Sequence, residues 1–293
     1  MARYLDPKND LIFKRIFGEH KHLCISLLNS LLPLEAPVVS IEYEPSELVP
    51  EVMQKKNSIV DVRCKDANGR KFIVEMQMYW SDTFKTRVLF NASKVYVKQL
   101  VTGQDYKFLC PVYSLNLVNK IFEHDMPNTY YHHYKIVNLY NTEKQIPGLE
   151  FVFVELPKFK AQSFSEKKLQ VLWLRFLTEI AESTREVPES LSSNKDIAEA
   201  LSYAEQSAYT EGELNTYDKV LDIIRTESTI YSDMHEAGKR EGEAERAQLQ
   251  QALAAEQEKA AAQATALAAE KAEKTAALAR IAQLEKLLPK SQN

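Results

Sequence analysis

The first hundred residues contain three segments whose apolar residues recur at helical spacings of three and four. These segments are NDLIFKRIF, EHKHLCISLLNSLLP and SDTFKTRVLFNASKVYVKQLV. We expect the first helix to begin at Pro7, with Asp6 as its N-cap, because proline is favoured at the first helical position. The second helix should end at Pro33 and the third near Gly103.

Runs typical of β-strands lie between and after these helices. They are VVSIEYE, NSIVDVRCKDANGRKFIVEMQM, FLCPVYSLNLV, YYHHYKIVNLY and LEFVFVELP. Strands mixed with long helices predict an α/β fold with a mixed central sheet flanked by helices. We assign residues 1–160 to this core, 161–235 to a helical extension, and 236–293 to a helical tail.

The tail is rich in Ala, Glu, Gln and Lys, which all favour helix. A line of seven-residue spacing contains Leu253, Ala260, Leu267, Ile281 and Leu288. Lys274 interrupts this line, so the pattern leaves two interpretations open. The tail is either a solvated single helix or a coiled coil through which the chain forms a homo-oligomer.

Composition excludes some classes of protein and indicates the cellular compartment. A formal net charge of −4 argues against a protein that coats nucleic acid through bulk charge, so any contact with DNA needs a local basic patch. No apolar run approaches the roughly 20 residues of a membrane helix, so we expect no membrane partner. The three cysteines match no zinc or redox spacing, and the first residues do not resemble a signal peptide. We therefore expect a cytoplasmic protein.

Two acids stand near the middle of two adjacent predicted strands, where acidic residues are uncommon. Alternation places Asp61 on one face of its strand and Val60, Val62 and Cys64 on the other. In the next strand Glu75 shares a face with Ile73 and Gln77, opposite Phe72, Val74 and Met76. Each strand therefore has one apolar face and one face that carries polar groups.

The turn between the strands decides whether the acids meet. A two-residue turn at Asn68-Gly69 would pair Asp61 with Met76 and leave Glu75 on the opposite side. A three-residue loop, 67–69, would instead place Asp61 opposite Glu75, with Gly69 supplying the left-handed residue that such a loop favours. We expect the three-residue loop, which would bring the two Cβ atoms to about 4.5–5.5 Å.

Two ionised carboxylates at that distance repel each other unless a cation or a shared proton relieves them. A hard divalent ion such as Mg²⁺ prefers oxygen ligands of this kind. The alternative is that Asp61 and Glu75 are solvated, or are paired with neighbours such as Arg63 and Lys71.

The third helix presents a polar stripe and an apolar face. The stripe contains Arg87, Asn91, Lys94 and Lys98, and the apolar face contains Val88, Ala92, Val95, Tyr96 and Leu100. A basic stripe beside a carboxylate pair is the local patch that could hold DNA phosphates near a metal. Three cations on a surface helix also arise by chance, and the sequence leaves this alternative open.

Several of these segments resemble a known family and stand in the same order. They are DPKNDLIFKRIFG, the hairpin IVDVRCKDANGRKFIVEMQM, the helix with Arg87 and Tyr96, and DYKFLCPVYSLNLV. Together they resemble the recombination-promoting nuclease / putative transposase family, a branch of the PD-(D/E)XK nuclease superfamily. The resemblance covers roughly residues 4–155, extends more loosely to about 235, and implies a restriction-endonuclease-like fold.

The resemblance also implies roles for individual residues. Asp61 matches the metal-binding Asp of the second core strand, and Glu75 matches the acid of the (D/E)XK element. Gln77 stands where the superfamily usually has Lys, and it could orient a water without supplying charge. Asp10 resembles an auxiliary metal ligand, with an ordinary i,i+4 pair with Lys14 as the alternative.

These matches imply an Mg²⁺-dependent DNA endonuclease that hydrolyses phosphodiester bonds and acts in recombination or on mobile elements. Asp61, Glu75 and the Met76 carbonyl would hold Mg²⁺, for which Mn²⁺ could substitute. Arg87, Lys94 and Lys98 would contact the phosphate backbone. The alternative is a nuclease-like fold that no longer cuts and serves as a DNA-binding or assembly module, and Gln77 favours that alternative.

Overall fold

The computed structural model describes residues 3–48, 58–161 and 168–287. The helices are α1 (Asp10–Glu19), α2 (Lys21–Leu31), α3 (Phe84–Val97), α4 (Leu169–Glu179), α5 (Glu189–Ser192), α6 (Lys195–Ala204) and α7 (Glu211–Leu287). The strands are β1 (Ile41–Tyr43), β2 (Glu47–Leu48), β3 (Ser58–Ile59), β4 (Val62–Asp66), β5 (Lys71–Gln77), β6 (Val112–Val118), β7 (Tyr131–Asn138) and β8 (Asn141–Glu155).

Six strands form one mixed sheet in the order β1-β4-β5-β6-β8-β7, and β2 pairs with β3 in a separate small hairpin. The pairs β1/β4, β4/β5 and β7/β8 are antiparallel, whereas β5/β6 and β6/β8 are parallel. Parallel neighbours need a crossover connection, and α3 lies in the crossover from β5 to β6. The predicted mixed sheet flanked by helices is confirmed.

Apolar side chains cover both faces of the sheet. On one face, Phe72 and Val74 of β5 belong to the main core together with residues of α1, α2, α4 and α6. On the other face, Ile73 packs with Ala92 and Val95 of α3. Helix α3 therefore covers the face of the β4–β5 hairpin that carries polar groups, and Glu75 lies between β5 and this helix.

The first helix begins later than the sequence predicts. Asn9, rather than Asp6, is the N-cap of α1, and its side chain accepts a hydrogen bond from the Leu11 N–H. Asp6 instead closes a turn over Pro7, because its carboxylate accepts from the Lys8 N–H and its carbonyl accepts from the Asn9 N–H. The predicted start at Pro7 is wrong. Both Asp6 and Asn9 are favourable N-cap residues, and Asn9 is the one that caps the helix.

The β4–β5 turn is the predicted three-residue loop. The Asp66 N–H donates to the Arg70 carbonyl at 3.0 Å, and Gly69 has a φ of 80°. The ladder pairs Val62 with Val74, and continued by one residue it places Asp61 beside Glu75. The predicted register, in which Asp61 lies opposite Glu75, is confirmed.

The predicted continuous strand before β4 is interrupted. The Val60 N–H donates to the Ser46 carbonyl at 3.1 Å, so the chain leaves the large sheet and β3 pairs with β2. Val60 packs with Ile73 near α3 rather than with Val62 and Cys64 in the main core. The predicted shared face of Val60, Val62 and Cys64 is wrong because the backbone bends at Asp61.

The chain divides into two compact units, Met1–Ile224 and Arg225–Asn293. The domain boundaries expected at residues 160 and 235 stay predictions. Leu288, the last residue of the seven-residue line, lies outside the described residues. Of the helices that the structure describes, none is both long enough and apolar enough to cross a membrane.

Gly69 provides a test of the hairpin loop. A Cβ at position 69 would lie 2.8 Å from the Cys110 Sγ, whereas a Cβ at Gly103, which also has positive φ, would meet nothing within 4 Å. Gly103→Ala should cost about 1 kcal/mol through backbone strain alone. Gly69→Ala should cost at least about 1 kcal/mol more, because the Cys110 side chain must also move.

Urea denaturation of both variants measures this difference. Adding Cys110→Ala to Gly69→Ala should recover part of the excess loss, since the clashing sulfur is removed. Equal destabilisation by the two glycine substitutions would contradict the loop geometry.

Candidate active site

Asp61 and Glu75 lie side by side at the end of the β4–β5 hairpin. Asp66 and Arg70 form a hydrogen-bonded pair, so alternation along the ladder makes Asp61 and Glu75 a non-hydrogen-bonded pair. Side chains approach each other most closely at such pairs. The Asp61 side chain is only 18% exposed and Glu75 only 7%, so water screens the two charges poorly.

Burial and mutual repulsion both favour the protonated forms of these acids. Burial raises the pKa of Asp61 to about 6, and the negative charge of Asp10 adds to the rise, while the Met76 N–H opposes it. Burial raises the pKa of Glu75 to about 8, and the Asp61 carboxylate is the second cause. Without a bound cation, burial and the neighbouring carboxylate therefore favour the protonated form of Glu75.

The break in the strand at Val60 changes the surroundings of Met76. In an undisturbed ladder the N–H and C=O of Met76 would both pair with Val60. Instead, the Met76 N–H donates to Asp61 Oδ2 at 2.6 Å, and the Val60 N–H is directed to Ser46. The Met76 carbonyl therefore lies on the Asp61 side of β5 without the ladder donor it would otherwise have.

Helix α1 contributes a third acid and a cation. The Lys14 Nζ lies 2.7 Å from Asp10 Oδ1 and 3.9 Å from Asp61 Oδ1. The i,i+4 pair is present, as one of the two interpretations of Asp10 expected, and Asp10 is also close enough to raise the pKa of Asp61. Among the residues that the structure describes, no three or more His, Cys, Asp or Glu side chains form a cluster that could hold a metal ion.

Helix α3 contributes an amide that sequence analysis placed in the basic stripe without a role. Asn91 is 2% exposed, and its side chain hydrogen-bonds Glu75, which favours the ionised carboxylate. Its Oδ1 has no hydrogen-bond partner within the described part of the chain. The sequence contained one sign of this burial, because Asn91 is next to Ala92, which belongs to the apolar face of the helix.

Gln77 has partners at both ends of its amide. Its Oε1 accepts from Arg87 Nη2 at 2.5 Å, and its Nε2 donates to the Tyr79 carbonyl at 2.5 Å. Arg87 is brought close enough for its charge to lower the pKa of Glu75. Gln77 is thus neutral itself and is bound to a cation from α3.

The other two cations of the predicted stripe lie further along α3. The Lys94 Nζ donates to the Leu48 carbonyl at 3.2 Å and to Ser58 Oγ at 3.3 Å, which connects α3 to the β2–β3 hairpin. Lys98 is the C-cap residue of α3. A cleft of about 490 Å³ is lined by Ser58, Thr83, Thr86, Arg87, Phe90 and Asn91. Arg87 and Asn91 thus connect the carboxylate pair to an open cleft.

A comparison with known protein families agrees with this architecture. The sequence model of one family, described as PD-(D/E)XK nuclease family transposase, matches residues 7–233. The chain matches no curated protein and no solved structure. The matched span includes Asp61, Glu75 and all eight strands that the structure describes. Because the match covers most of the sequence, the chain belongs to the PD-(D/E)XK nuclease transposase family.

Proposed function

We propose that this protein is a metal-dependent DNA endonuclease that hydrolyses phosphodiester bonds during recombination or the movement of mobile elements. The family description supports nuclease chemistry and a connection with transposition. The observation that carries the proposal is the Asp61–Glu75 pair at the end of the hairpin, in which burial and the neighbouring negative charge raise the pKa of Glu75. DNA is therefore the proposed substrate.

The residues around this pair fit a hard divalent ion. Asp61 and Glu75 offer carboxylate oxygens, and the Met76 carbonyl faces the same edge of β5. Mg²⁺ is commonly held by one or two carboxylates while several waters and substrate oxygens complete its shell. We propose Mg²⁺ as the cofactor, with Mn²⁺ able to replace it and Asp10 as an auxiliary ligand. Such an ion supplies an activated water and offsets charge on the phosphate.

Two neighbouring side chains support the chemistry without binding the ion. Asn91 hydrogen-bonds Glu75 and thereby favours the carboxylate form that a ligand must adopt. Gln77 holds the Arg87 guanidinium beside the pair. A side-chain amide has two donors and two acceptor positions, so Gln77 retains one of each with which to orient a water.

Three cations of the α3 region would bind the DNA backbone. Arg87 lines the cleft beside Asn91, and Lys94 and Lys98 continue along the same side of the helix. Contacts of this kind fix the position of DNA but read no sequence. We therefore propose backbone binding by Arg87, Lys94 and Lys98 and assign no sequence preference to them.

A nicking assay on supercoiled plasmid tests the endonuclease directly. With Mg²⁺ or Mn²⁺, the wild-type protein should convert plasmid to nicked or linear product, and Asp61→Ala and Glu75→Ala should reduce the rate by at least about 100-fold. Both variants should bind DNA in metal-free buffer at least as tightly as wild type, because neither substitution removes a cation that contacts the phosphates and Asp61→Ala also removes negative charge near them.

The cation variants provide the matched contrast. Neutralising Arg87, Lys94 and Lys98 together should weaken DNA binding and flatten its salt dependence by about 0.9 log units per lost phosphate contact. Acid variants that cut as fast as wild type would remove Asp61 and Glu75 from the mechanism. A wild-type protein that binds DNA but never cuts would support the rival function, a non-cutting DNA-binding or assembly module. The neutral Gln77 in the usual Lys position favours that rival.

The two raised pKa values predict how stability of the metal-free protein depends on pH. Because both acids hold protons more tightly when folded, the free energy of unfolding should fall as pH rises from about 4, the unfolded pKa, through about 8. Glu75→Gln should remove the upper part of this fall and be more stable than wild type at pH 8.5 by at least about 1 kcal/mol.

Chemical denaturation across this pH range, with and without Mn²⁺, measures the effect. Mn²⁺ should stabilise wild type most at the alkaline end, where the carboxylates are ionised, and should stabilise Glu75→Gln much less. Glu143→Gln, which removes an exposed carboxylate from β8, is the control. A wild-type stability that rises between pH 5 and 8 in metal-free buffer would contradict the assignment of repelling acids.

We also propose that the tail associates with a second copy of the chain. Helix α7 runs from Glu211 to Leu287. Several large apolar side chains on it are exposed, namely Met234, Leu249, Leu253, Leu267, Leu278 and Ile281. A helix that exposes apolar residues at near-helical spacing is stabilised when another helix covers them.

Alanine substitutions test this association while keeping the helix intact. Leu253→Ala, Leu267→Ala and Ile281→Ala together retain helix propensity but remove apolar area, so the oligomer should weaken or dissociate. Light scattering over a concentration series would report the subunit number. The same number of subunits for the triple variant and for wild type would exclude this line of residues from the interface.

A further inference from the structure

The proposed nuclease site lacks a cation at the position where the family resemblance places a lysine. Gln77 occupies that position, and a glutamine amide can orient groups but cannot offset charge. In phosphodiester hydrolysis negative charge grows on the phosphate oxygens, and preorganised cations near those oxygens are a major source of rate enhancement. The site therefore depends on positive groups that other elements supply.

Lys14 reaches the carboxylate pair from α1. Its Nζ lies 2.7 Å from Asp10 Oδ1 and 3.9 Å from Asp61 Oδ1, so it stands between the first helix and the end of the hairpin. Phe13 and Phe17 on the same helix are fully buried, which anchors this part of α1 to the core. The Lys14 side chain remains 39% exposed, so a substrate could approach its ammonium group.

Two nearby cations are engaged elsewhere, and a third stands on the other side of the carboxylate pair. Arg63 and Lys71 both form ion pairs with Glu44. Arg87 is bound to Gln77 and stands on the α3 side of the pair, where it borders the cleft. Within residues 3–48, 58–161 and 168–287, Lys14 is the cation that lies at ion-pair distance from Asp61, and it stands on the α1 side.

We propose that Lys14 is the cationic catalytic residue of this site and supplies the charge that Gln77 lacks. This inference rests on the proposed endonuclease function. In the metal-free protein the ammonium group partly neutralises Asp10 and Asp61. When DNA is bound, it contacts a non-bridging oxygen of the scissile phosphate.

The hydrolysis that Lys14 assists is balanced without a proton from Lys14. The oxygen of a water forms a new bond to phosphorus and releases one proton to solvent. One phosphorus–oxygen ester bond breaks, its electron pair stays on the leaving oxygen, and that oxygen takes a proton from solvent. Lys14 remains an ammonium ion throughout and stabilises the negative charge that accumulates on the phosphate in the transition state.

The test compares wild type with Lys14→Gln, Lys14→Arg and the double variant Lys14→Gln/Gln77→Lys. Lys14→Gln should lower the single-turnover cleavage rate at saturating DNA by about 100-fold, a larger factor than the loss of DNA affinity in metal-free buffer. Lys14→Arg should keep part of the rate because it keeps the charge. The double variant should cleave at least about tenfold faster than Lys14→Gln, because it places a cation at the position that Gln77 occupies.

A calorimetric titration with Mn²⁺ supplies a readout that does not depend on cleavage. Removing a positive charge 3.9 Å from a ligand oxygen should tighten Mn²⁺ binding by roughly tenfold in Lys14→Gln. Lys21→Gln is the matched control, because it removes an exposed lysine from the start of α2 and changes the net charge equally. Thermal melts of each variant confirm that it is folded.

The outcomes separate this inference from the proposed function. A Lys14→Gln variant that cleaves like wild type, loses no more activity than Lys21→Gln, or binds Mn²⁺ no more tightly than wild type would overturn the role of Lys14. A wild-type protein that binds Mn²⁺ but cuts no DNA would overturn the endonuclease and the catalytic part of this inference with it. The Mn²⁺ titration would then still decide whether Lys14 is the cation of the carboxylate pair.

Discussion

Repulsion between two buried carboxylates is the constraint on which the arrangement around the β4–β5 hairpin depends. Unit charges about 4 Å apart interact by about 1 kcal/mol in water and about 4 kcal/mol near a protein surface, and burial adds a desolvation cost for each ionised group. Lys14, Asn91, Arg87 and the Met76 N–H all favour the ionised forms, yet the pKa values of both acids remain raised. The protein thus neutralises the pair incompletely. A divalent cation would supply the positive charge that the protein's own groups leave unmatched at this place.

The departure of Val60 from the sheet links several features of the site. It allows β3 to pair with β2, and it leaves Met76 without its ladder partner. A buried N–H without an acceptor costs about 1–3 kcal/mol, and Asp61 avoids that cost by accepting from Met76. The same hydrogen bond fixes the orientation of the Asp61 carboxylate. A local break in regular structure therefore orients an acid and directs a carbonyl toward the same edge.

Sequence reasoning predicted the parts of this site that depend on short-range rules. Strand alternation and the need for a left-handed residue at Gly69 together determined that Asp61 and Glu75 share a face, since a one-residue slip would have separated them. These rules failed at Val60, because the bend there depends on β2, an element from a different part of the chain. They also failed at the start of α1, where Asp6 and Asn9 are both good caps and residue type alone does not choose between them.

Such rules could not predict the hydrogen-bond and ion-pair partners of long polar side chains. The sequence assigned Lys94 to a phosphate-binding stripe, but its flexible chain reaches the Leu48 carbonyl, and helical spacing contains no information about that acceptor. Asn91 was assigned to the polar stripe of α3. Its burial between α3 and the sheet depends on how the helix is rotated over β5, which helical spacing does not reveal. Lys14 was paired with Asp10 by the i,i+4 rule, which holds, but the rule cannot reveal that Asp61 lies within reach as well.

The location of the acids at a strand end explains why groups from both sides of the sheet can act on them. Within a sheet, a side chain on one face is separated from helices on the other by the backbone layer. Asp61 directly precedes β4, so Lys14 of α1 can reach it, although α1 packs on the main core face. Glu75, which lies opposite Asp61 when the ladder is continued by one residue, meets Asn91 of α3 on the other face of the sheet. Helices from opposite faces can therefore place charge and hydrogen-bond donors around one pair of oxygens only where the sheet ends, and the break at Val60 creates such an end inside the hairpin.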